Sequence, residues 1–109
     1  MSGSALAASS RGRPRKKRIL RSEPEITQFS PRGRIGRPDH SELKYEEFEA
    51  LRLADHMGLS QSEASKFMGV SQQTFSRVLK NARKSLAGAL VKGKIIRVKG
   101  GDFKVEKQP

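Results

Sequence analysis

The chain has 109 residues, which is enough for one small domain and a tail, and only 34% of them are hydrophobic. It contains no cysteine, so disulfide bonds, thiolate metal ligands and a cysteine nucleophile are excluded. No apolar run approaches the roughly 18 residues of a membrane helix, and the first ten residues lack the hydrophobic segment of a signal peptide.

The net charge of +12 is distributed in three blocks along the chain. Residues 1–40 carry ten basic and three acidic residues, whereas residues 41–76 carry three basic and six acidic ones. Residues 77–109 again carry ten basic residues, with two acidic ones. A basic tail and a basic end that flank an acidic segment indicate a polyanionic partner.

Residues 1–40 are predicted to form a basic, largely disordered arm, with the exception of residues 25–29, which can form a strand or pack against the domain. They hold four of the five prolines and few large apolar residues, so they cannot bury enough surface to offset the loss of chain entropy. From Ser41 the pattern changes, and this serine is predicted to cap a helix over about 43–56 that ends before Gly58. The glutamates of this helix, Glu46, Glu47 and Glu49, are assigned to a solvated face.

Two further helices are predicted from their caps. Ser60, with Glu63 three residues later, forms a capping box, and that helix is expected to stop at Gly69. Ser71 caps the third helix, whose apolar residues recur at helical spacing until it ends near Gly93. Finally, two β-prone runs flank Gly100-Gly101, which predicts a hairpin between about 94–98 and 103–106.

The segment from Gln61 to Lys80 has the pattern of a helix-turn-helix. Ser65 is small where the two helices cross, and Gly69 stands at the turn. Inward positions are apolar, namely Val70, Ala64, Met68, Phe75 and Val78. The predicted fold is therefore mainly α: a three-helix, winged-helix-like helix-turn-helix domain over 41–93, a short C-terminal β-hairpin and tail over 94–109, and the disordered arm.

The outward residues of the third helix are candidates for DNA contact. Glutamine can bond adenine, and arginine can bond guanine, through two hydrogen bonds each. The N–H groups at the helix N-terminus, and basic side chains further along the helix, are suited to bind phosphate. The predicted DNA-binding residues, in a recognition helix over about 71–84, are Ser71, Gln72, Gln73, Thr74, Ser76, Arg77, Lys80, Arg83 and Lys84. Alternatively, these residues form a solvated polar face on a core helix.

Six stretches carry a resemblance to a known family: RPRKKR (13–18), EALRLAD (49–55), GLSQSEAS (58–65), MGVSQQTFSRVL (68–79), ARKSLAGALVKGK (82–94) and GG (100–101). They resemble a family of small uncharacterised prokaryotic proteins described as predicted DNA-binding proteins with a helix-turn-helix similar to region 4 of sigma factors. The resemblance implies DNA binding and a regulatory role. The family often has arginine where this chain has Gln72, so a different base preference is expected.

The basic arm contains a second motif. RGRPRK (11–16) resembles an AT-hook, in which an extended Arg-Gly-Arg core enters the narrow minor groove of A·T-rich DNA. The alternative is a polybasic arm that adds affinity without reading sequence. In both cases contact with DNA is expected from Arg11, Gly12, Arg13, Pro14, Arg15, Lys16, Lys17 and Arg18.

The leading interpretation is a sequence-specific binder of double-stranded DNA, a transcriptional regulator in the cytoplasm on the nucleoid, with no catalytic activity, cofactor, metal or membrane partner. His40 and His56 have no ligand partner in the sequence. Two other classes stay open: a non-specific or architectural nucleic-acid binder, including an RNA binder, and a module that contacts the transcription machinery through the acidic face of the first helix. A homodimer is possible through the terminal ribbon or the 82–91 stretch.

Overall fold

A computed structural model describes residues 17–33, 36 and 38–107 of the chain. Within this part, the chain forms three helices and five short strands. In chain order these are β1 (Arg18–Leu20), β2 (Gln28–Phe29), β3 (His40–Leu43), α1 (Tyr45–Leu51), α2 (Gln61–Phe67), α3 (Gln72–Lys92), β4 (Ile95–Val98) and β5 (Phe103–Val105). A π-helical segment, Arg52–His56, continues α1. The three predicted helices are confirmed, but the fold is mixed α/β rather than mainly α.

The ends of α2 and α3 follow the predicted caps. The Ser60 hydroxyl accepts a hydrogen bond from the Glu63 backbone N–H, and the Glu63 carboxylate accepts one from the Ser60 N–H, both at 3.1 Å. The Ser71 hydroxyl accepts from the Thr74 N–H at 3.0 Å and so satisfies an N–H at the start of α3. Gly93 closes α3 in the left-handed conformation, with φ of 65°. Both predicted helices are thus confirmed with their bounds.

The start of α1 differs from the prediction. Ser41 lies in β3, and the N-cap is Lys44, whose backbone N–H donates to the Glu47 carboxylate at 2.9 Å. The reason is that β3 pairs in parallel with β4, in a register that places His40 opposite Ile95 and Leu43 opposite Val98. Residues 40–43 are therefore extended, and the helix cannot begin before this pairing ends.

The strands form two small sheets. In the first, β4 lies between β2, to which it is antiparallel, and β3, to which it is parallel. In the second, β5 pairs in parallel with β1, so that Arg18 lies opposite Phe103 and Leu20 opposite Val105. The predicted hairpin is therefore wrong, because its two strands form at the expected places but belong to different sheets.

The link between β4 and β5 explains why no hairpin forms. Both edges of β4 are already occupied by β2 and β3. Beyond β4, the Asp102 N–H donates to the Glu46 carboxylate at 3.2 Å, and the Asp102 carbonyl accepts from the Arg18 N–H at 3.0 Å. These long-range contacts direct the chain toward β1 instead of back along β4.

The predicted disordered arm is also corrected in part. Residues 1–16 lie outside the described residues, but β1 and β2 belong to the predicted arm and pair with the C-terminal strands. Leu20 is fully buried, so the arm contributes an apolar side chain to the interior. Among the described residues, the folded part of the chain thus already includes Arg18, more than twenty residues before the expected boundary.

Two apolar clusters hold the helices together, and α3 takes part in both. The first joins α1, α2 and the N-terminal half of α3 and consists of Ala50, Leu53, Ala64, Met68, Phe75, Val78 and Leu79. The second joins α3 to the three-stranded sheet and consists of Leu43, Ala82 and Val98, with Tyr45, Phe48, Leu51 and Ile96 packed against it. One end of α3 therefore packs on α2 and the other on the sheet.

Candidate nucleic-acid interface

A tight turn joins α2 to α3. Gly69 adopts φ of 67°, a backbone conformation that is cheap only for glycine. The Gly69 N–H donates to the Lys66 carbonyl at 3.1 Å, and the Val70 N–H donates to the Ser65 carbonyl at 3.0 Å. Ser65 is buried, and its hydroxyl donates to the Ser62 carbonyl at 2.9 Å. The turn is thus held by main-chain bonds, with a small side chain at the predicted position of close approach.

The inward residues of this unit lie where the spacing places them. Ala64, Met68 and Phe75 are fully buried, and Val78 is nearly so. Val70 is partly buried and packs against the same cluster. Because both helices contribute to one apolar core, their relative orientation is set by packing, and the opposite face of α3 is presented rigidly to solvent.

Most of the predicted DNA-binding residues lie on the outer surface of α3. The exposed members are Ser71, Gln72, Gln73, Ser76, Arg77, Lys80, Arg83 and Lys84, whereas Thr74 is partly buried. Between Gln72 and Lys92 the helix contains no acidic residue. The sequence reasoning omitted Asn81, which is exposed one turn after Arg77. Its position four residues after Arg77 is the signal that could have identified it.

Several of these side chains already have partners. The Ser71 hydroxyl caps α3 and also donates to the Thr74 hydroxyl at 3.0 Å. The Ser76 hydroxyl donates to the Gln61 side-chain oxygen at 2.6 Å, which links α3 to the first turn of α2. These bonds leave Gln72, Gln73 and Arg77 as the outward groups that are best suited to read an external ligand.

Arg83 forms an ion pair with Asp55. Its guanidinium donates to both oxygens of Asp55, at 2.7 and 3.1 Å. This side-chain hydrogen bond lowers the pKa of Asp55 below its ordinary value, so the carboxylate stays ionised and compensates the arginine. This pairing makes Arg83 the least available of the predicted phosphate ligands.

The basic arm enters the fold at the turn before α3. The Ile19 N–H donates to the Met68 carbonyl at 3.0 Å, and Ile19 packs against Gly69. The Arg21 guanidinium donates to the Phe67 carbonyl at 3.0 Å. These contacts bring the N-terminal segment to the start of α3.

The predicted DNA-binding residues of the arm differ in how the structure describes them. Lys17 is exposed, but Arg18 is only 6% exposed and lies within β1. Because β1 is packed between α1 and the C-terminal strand, most of the Arg18 side chain is shielded from solvent. Arg11, Gly12, Arg13, Pro14, Arg15 and Lys16 lie outside the described residues.

The glutamates of α1 do not form the solvated face that was expected. Glu46, Glu47 and Glu49 are all buried. Glu46 accepts from Asp102 and Glu47 from Lys44, as described above, while Glu49 accepts from the Arg21 N–H at 2.8 Å. These carboxylates are therefore internal hydrogen-bond acceptors that hold the arm and the C-terminal link against α1.

Glu49 also forms a buried ion pair with Arg52. Arg52 donates to its two oxygens at 2.7 and 2.9 Å, and the side chain of Glu49 is 1% exposed. The hydrogen bond to Glu49 raises the pKa of Arg52 above its ordinary value. A buried carboxylate with three donors is fully committed to structure, so it is not a catalytic acid–base candidate.

Among the described residues, no group of three histidine or acidic side chains is arranged to hold a metal ion. The helices of this part of the chain also lack the combination of length and apolar character that a membrane crossing requires.

Comparisons with other proteins show the family of the chain. The family model described as "Protein of unknown function DUF134" matches residues 8–106. A UPF0251 protein of Thermoanaerobacter pseudethanolicus is 48% identical over 97 residues, which cover 85% of this chain and 80% of the relative. UPF0251 proteins of Methanococcus maripaludis and Dehalococcoides mccartyi are 42% and 41% identical over 96 and 98 residues, covering 87% and 89% of this chain and 74% and 84% of those relatives. No solved structure matches the chain. The chain therefore belongs to the DUF134/UPF0251 family, which is found in bacteria and archaea.

Proposed function

We propose that this protein binds double-stranded DNA in a sequence-specific manner and acts as a transcriptional regulator. In this proposal α2 and α3 form a helix-turn-helix similar to that of sigma region 4, and the first half of α3 lies in the major groove. The observation that carries the proposal is the outer face of α3, where amide and basic side chains are exposed on a rigidly packed helix without an acidic residue.

The chemistry of this face divides into two roles. Gln72, Gln73 and Arg77 lie in the first turns of α3 and have the donor and acceptor groups that read base edges in the major groove. Lys80 and Lys84 lie one and two turns further along and suit phosphate, because a lysine ammonium is a flexible point charge. Such a division orients the helix through the backbone and leaves discrimination to its N-terminal end.

The anchor of β1 gives the basic arm a defined role in this proposal. The Ile19 N–H donates to the Met68 carbonyl in the α2–α3 turn, so the basic segment of the arm is attached to the fold beside the proposed recognition helix. An arm that starts there can follow the backbone or enter the adjacent minor groove, as the arms of homeodomains do. In this proposal Arg18 and Arg21 do not contact DNA, because Arg18 is buried and the Arg21 guanidinium donates to the Phe67 and Glu106 carbonyls.

The alternative classes receive less support from the described residues. The interaction module was expected to use the acidic face of α1, but its three glutamates are buried. An RNA binder commonly stacks bases on exposed aromatic rings. Tyr45 and Phe103 stack on each other at 4.7 Å between ring centroids, which leaves Phe29 as the exposed aromatic side chain of the described part.

The proposal is tested by selecting bound sequences from a random duplex pool with the whole protein at about physiological salt. Enrichment of a defined motif is the expected result. The substitutions Gln73→Ala and Arg77→Ala should each cost about 1–3 kcal/mol on that motif and relax the preference at one position. Lys107→Ala, which removes an exposed base outside α3, is the control and should leave the motif unchanged.

The contribution of the arm is tested separately by removing residues 1–16, which spares β1. This deletion removes four basic residues, so the slope of log affinity against log salt should decrease by up to about 4 while the motif persists. Enrichment of A·T-rich DNA alone, lost on this deletion, would favour an architectural role. Selection without any enrichment, together with binding that disappears as salt rises, would contradict sequence-specific recognition.

A further inference from the structure

An apolar groove lies on the side of the molecule where the second half of α3 meets α1 and the three-stranded sheet. It has a volume of about 780 Å³, and its apolar lining includes Phe29, Phe48, Leu51, Leu86, Leu90 and Ile96. None of the residues proposed to read bases contributes to it. The groove is therefore a surface distinct from the proposed DNA-binding face of the same helix.

The walls of this groove are too open for a small ligand. Leu90 is 69% exposed and Phe29 is 49% exposed, whereas a small-molecule pocket encloses most of its ligand. Val91, next to Leu90 at the end of α3, is 85% exposed. Large apolar side chains that are exposed together mark a surface for a macromolecular partner.

The charges around the groove identify the kind of partner. The charged side chains of the lining are Arg52 and Asp55, and each is paired, with Glu49 and Arg83 respectively, at 2.7 Å. The groove is therefore close to neutral on a chain of net charge +12. Two copies of this chain repel each other wherever their basic side chains face one another. They can therefore approach most closely through a neutral apolar face. An acidic partner would gain little from this face.

We propose that the groove is the site at which a second copy of this chain binds. A two-fold dimer uses the same patch on both subunits, which requires a projection and a recess side by side. Leu90 and Val91 form the projection beside the groove, so each copy can insert its helix end into the recess of the other. The first half of α3 stays exposed at the opposite end of this 21-residue helix, which is roughly 31 Å long.

This inference does not depend on DNA binding, because it is tested on the protein alone. Sedimentation equilibrium of the whole protein, at concentrations from about 1 to 100 µM, should show a monomer–dimer equilibrium. Dimerisation should strengthen as salt increases, because salt screens the repulsion between basic chains. DNA binding has the opposite salt dependence, so failure of one proposal is distinguishable from failure of the other.

Leu90→Asp tests the location of the contact. The variant loses the burial of a leucine and would place an unpaired carboxylate in the contact. Its dissociation constant for the dimer should therefore be at least roughly tenfold higher than that of the unaltered protein. Val105→Asp is the matched control, since Val105 is an exposed apolar residue outside the groove lining. It should leave the dimer intact. Circular dichroism spectra should show that both variants remain folded.

Three results would overturn the proposal: a monomer throughout the concentration range, a Leu90→Asp variant that dimerises normally, or an equal loss in both variants. Because the chain has no cysteine, a single one introduced at Val91 provides an independent test. A thiol-reactive bifunctional reagent should then link two chains in dilute solution. The same cysteine at Val105 should not be linked.

Discussion

The substitution Glu49→Gln tests the internal ion pair that fastens the arm to α1. Both carboxylate oxygens of Glu49 accept: one from the Arg52 Nε–H, the other from the Arg21 N–H and from a second Arg52 nitrogen. A glutamine amide has one acceptor oxygen and one NH₂ group, so in either orientation its NH₂ group faces an N–H donor. The change therefore removes the charge and also leaves a buried donor unsatisfied.

The magnitude follows from the burial of the two partners. Breaking a buried ion pair by altering one partner costs about 3–5 kcal/mol. Arg52 is 24% exposed and can be partly hydrated after the change, so we expect a loss of about 2–4 kcal/mol in the free energy of unfolding. For a domain of this size, that loss should lower the melting temperature by on the order of 10 °C or more.

The assay is urea unfolding followed by circular dichroism, because the chain has no tryptophan to report by fluorescence. Glu42→Gln is the control: Glu42 is an exposed residue of β3 that pairs with Lys99 at 3.5 Å, and its loss should be close to zero. Hydrogen exchange at Arg21 should also accelerate in Glu49→Gln, since its amide bonds to Glu49. A Glu49→Gln variant as stable as the control would refute the assignment of Glu49 as a structural anchor.

Three further predictions concern caps, turns and pH. Gly69→Ala should lower the free energy of unfolding by about 1–2 kcal/mol, because alanine would have to adopt a positive φ and its β-carbon would lie 2.9 Å from the Ile19 Cδ1 atom. An unchanged melting temperature would contradict this. Ser60→Ala should cost about 1 kcal/mol through loss of the capping box, whereas Ser60→Gly should cost less. The pKa of Asp55 is lowered in the folded state, so the stabilisation from its pair with Arg83 is present above the unfolded pKa of about 4 and is lost as pH falls through the lower folded value. Urea titrations should therefore separate Asp55→Asn from the unaltered protein at pH 7 and not at strongly acidic pH.

Features set by neighbouring residues were predictable from the sequence. Ser60 with Glu63, Ser71 and Gly93 act on backbone groups within a few residues, so the bounds of α2 and α3 follow from local chemistry. The apolar spacing along α3 likewise determines which of its faces is outward. The composition of the candidate DNA-binding face could therefore be predicted, including the exposure of Gln73 and Arg77.

Features set by distant residues could not be predicted in this way. Nothing near Glu46 in the sequence indicates that Asp102, 56 residues away, will lie on its carboxylate. The same holds for Glu49 and Arg21, which are 28 residues apart. A glutamate on a helix is usually solvated, and that expectation fails here because two segments from opposite ends of the chain cover α1. The unpredicted partners of the last two strands, β2 and β3 for β4 and β1 for β5, have the same origin.

The anchor of β1 also changes what the net charge of the chain means. The run RPRKKRILR is a uniform basic stretch in the sequence, yet two of its arginines, Arg18 and Arg21, lie within the described fold. Arg21 bonds to main-chain carbonyls, Arg52 to Glu49 and Arg83 to Asp55, so these arginines are already engaged within the protein. The salt dependence of the proposed DNA binding should accordingly be set by the basic residues before Arg18 and by the exposed basic residues of α3, and it should be smaller than the net charge of +12 suggests.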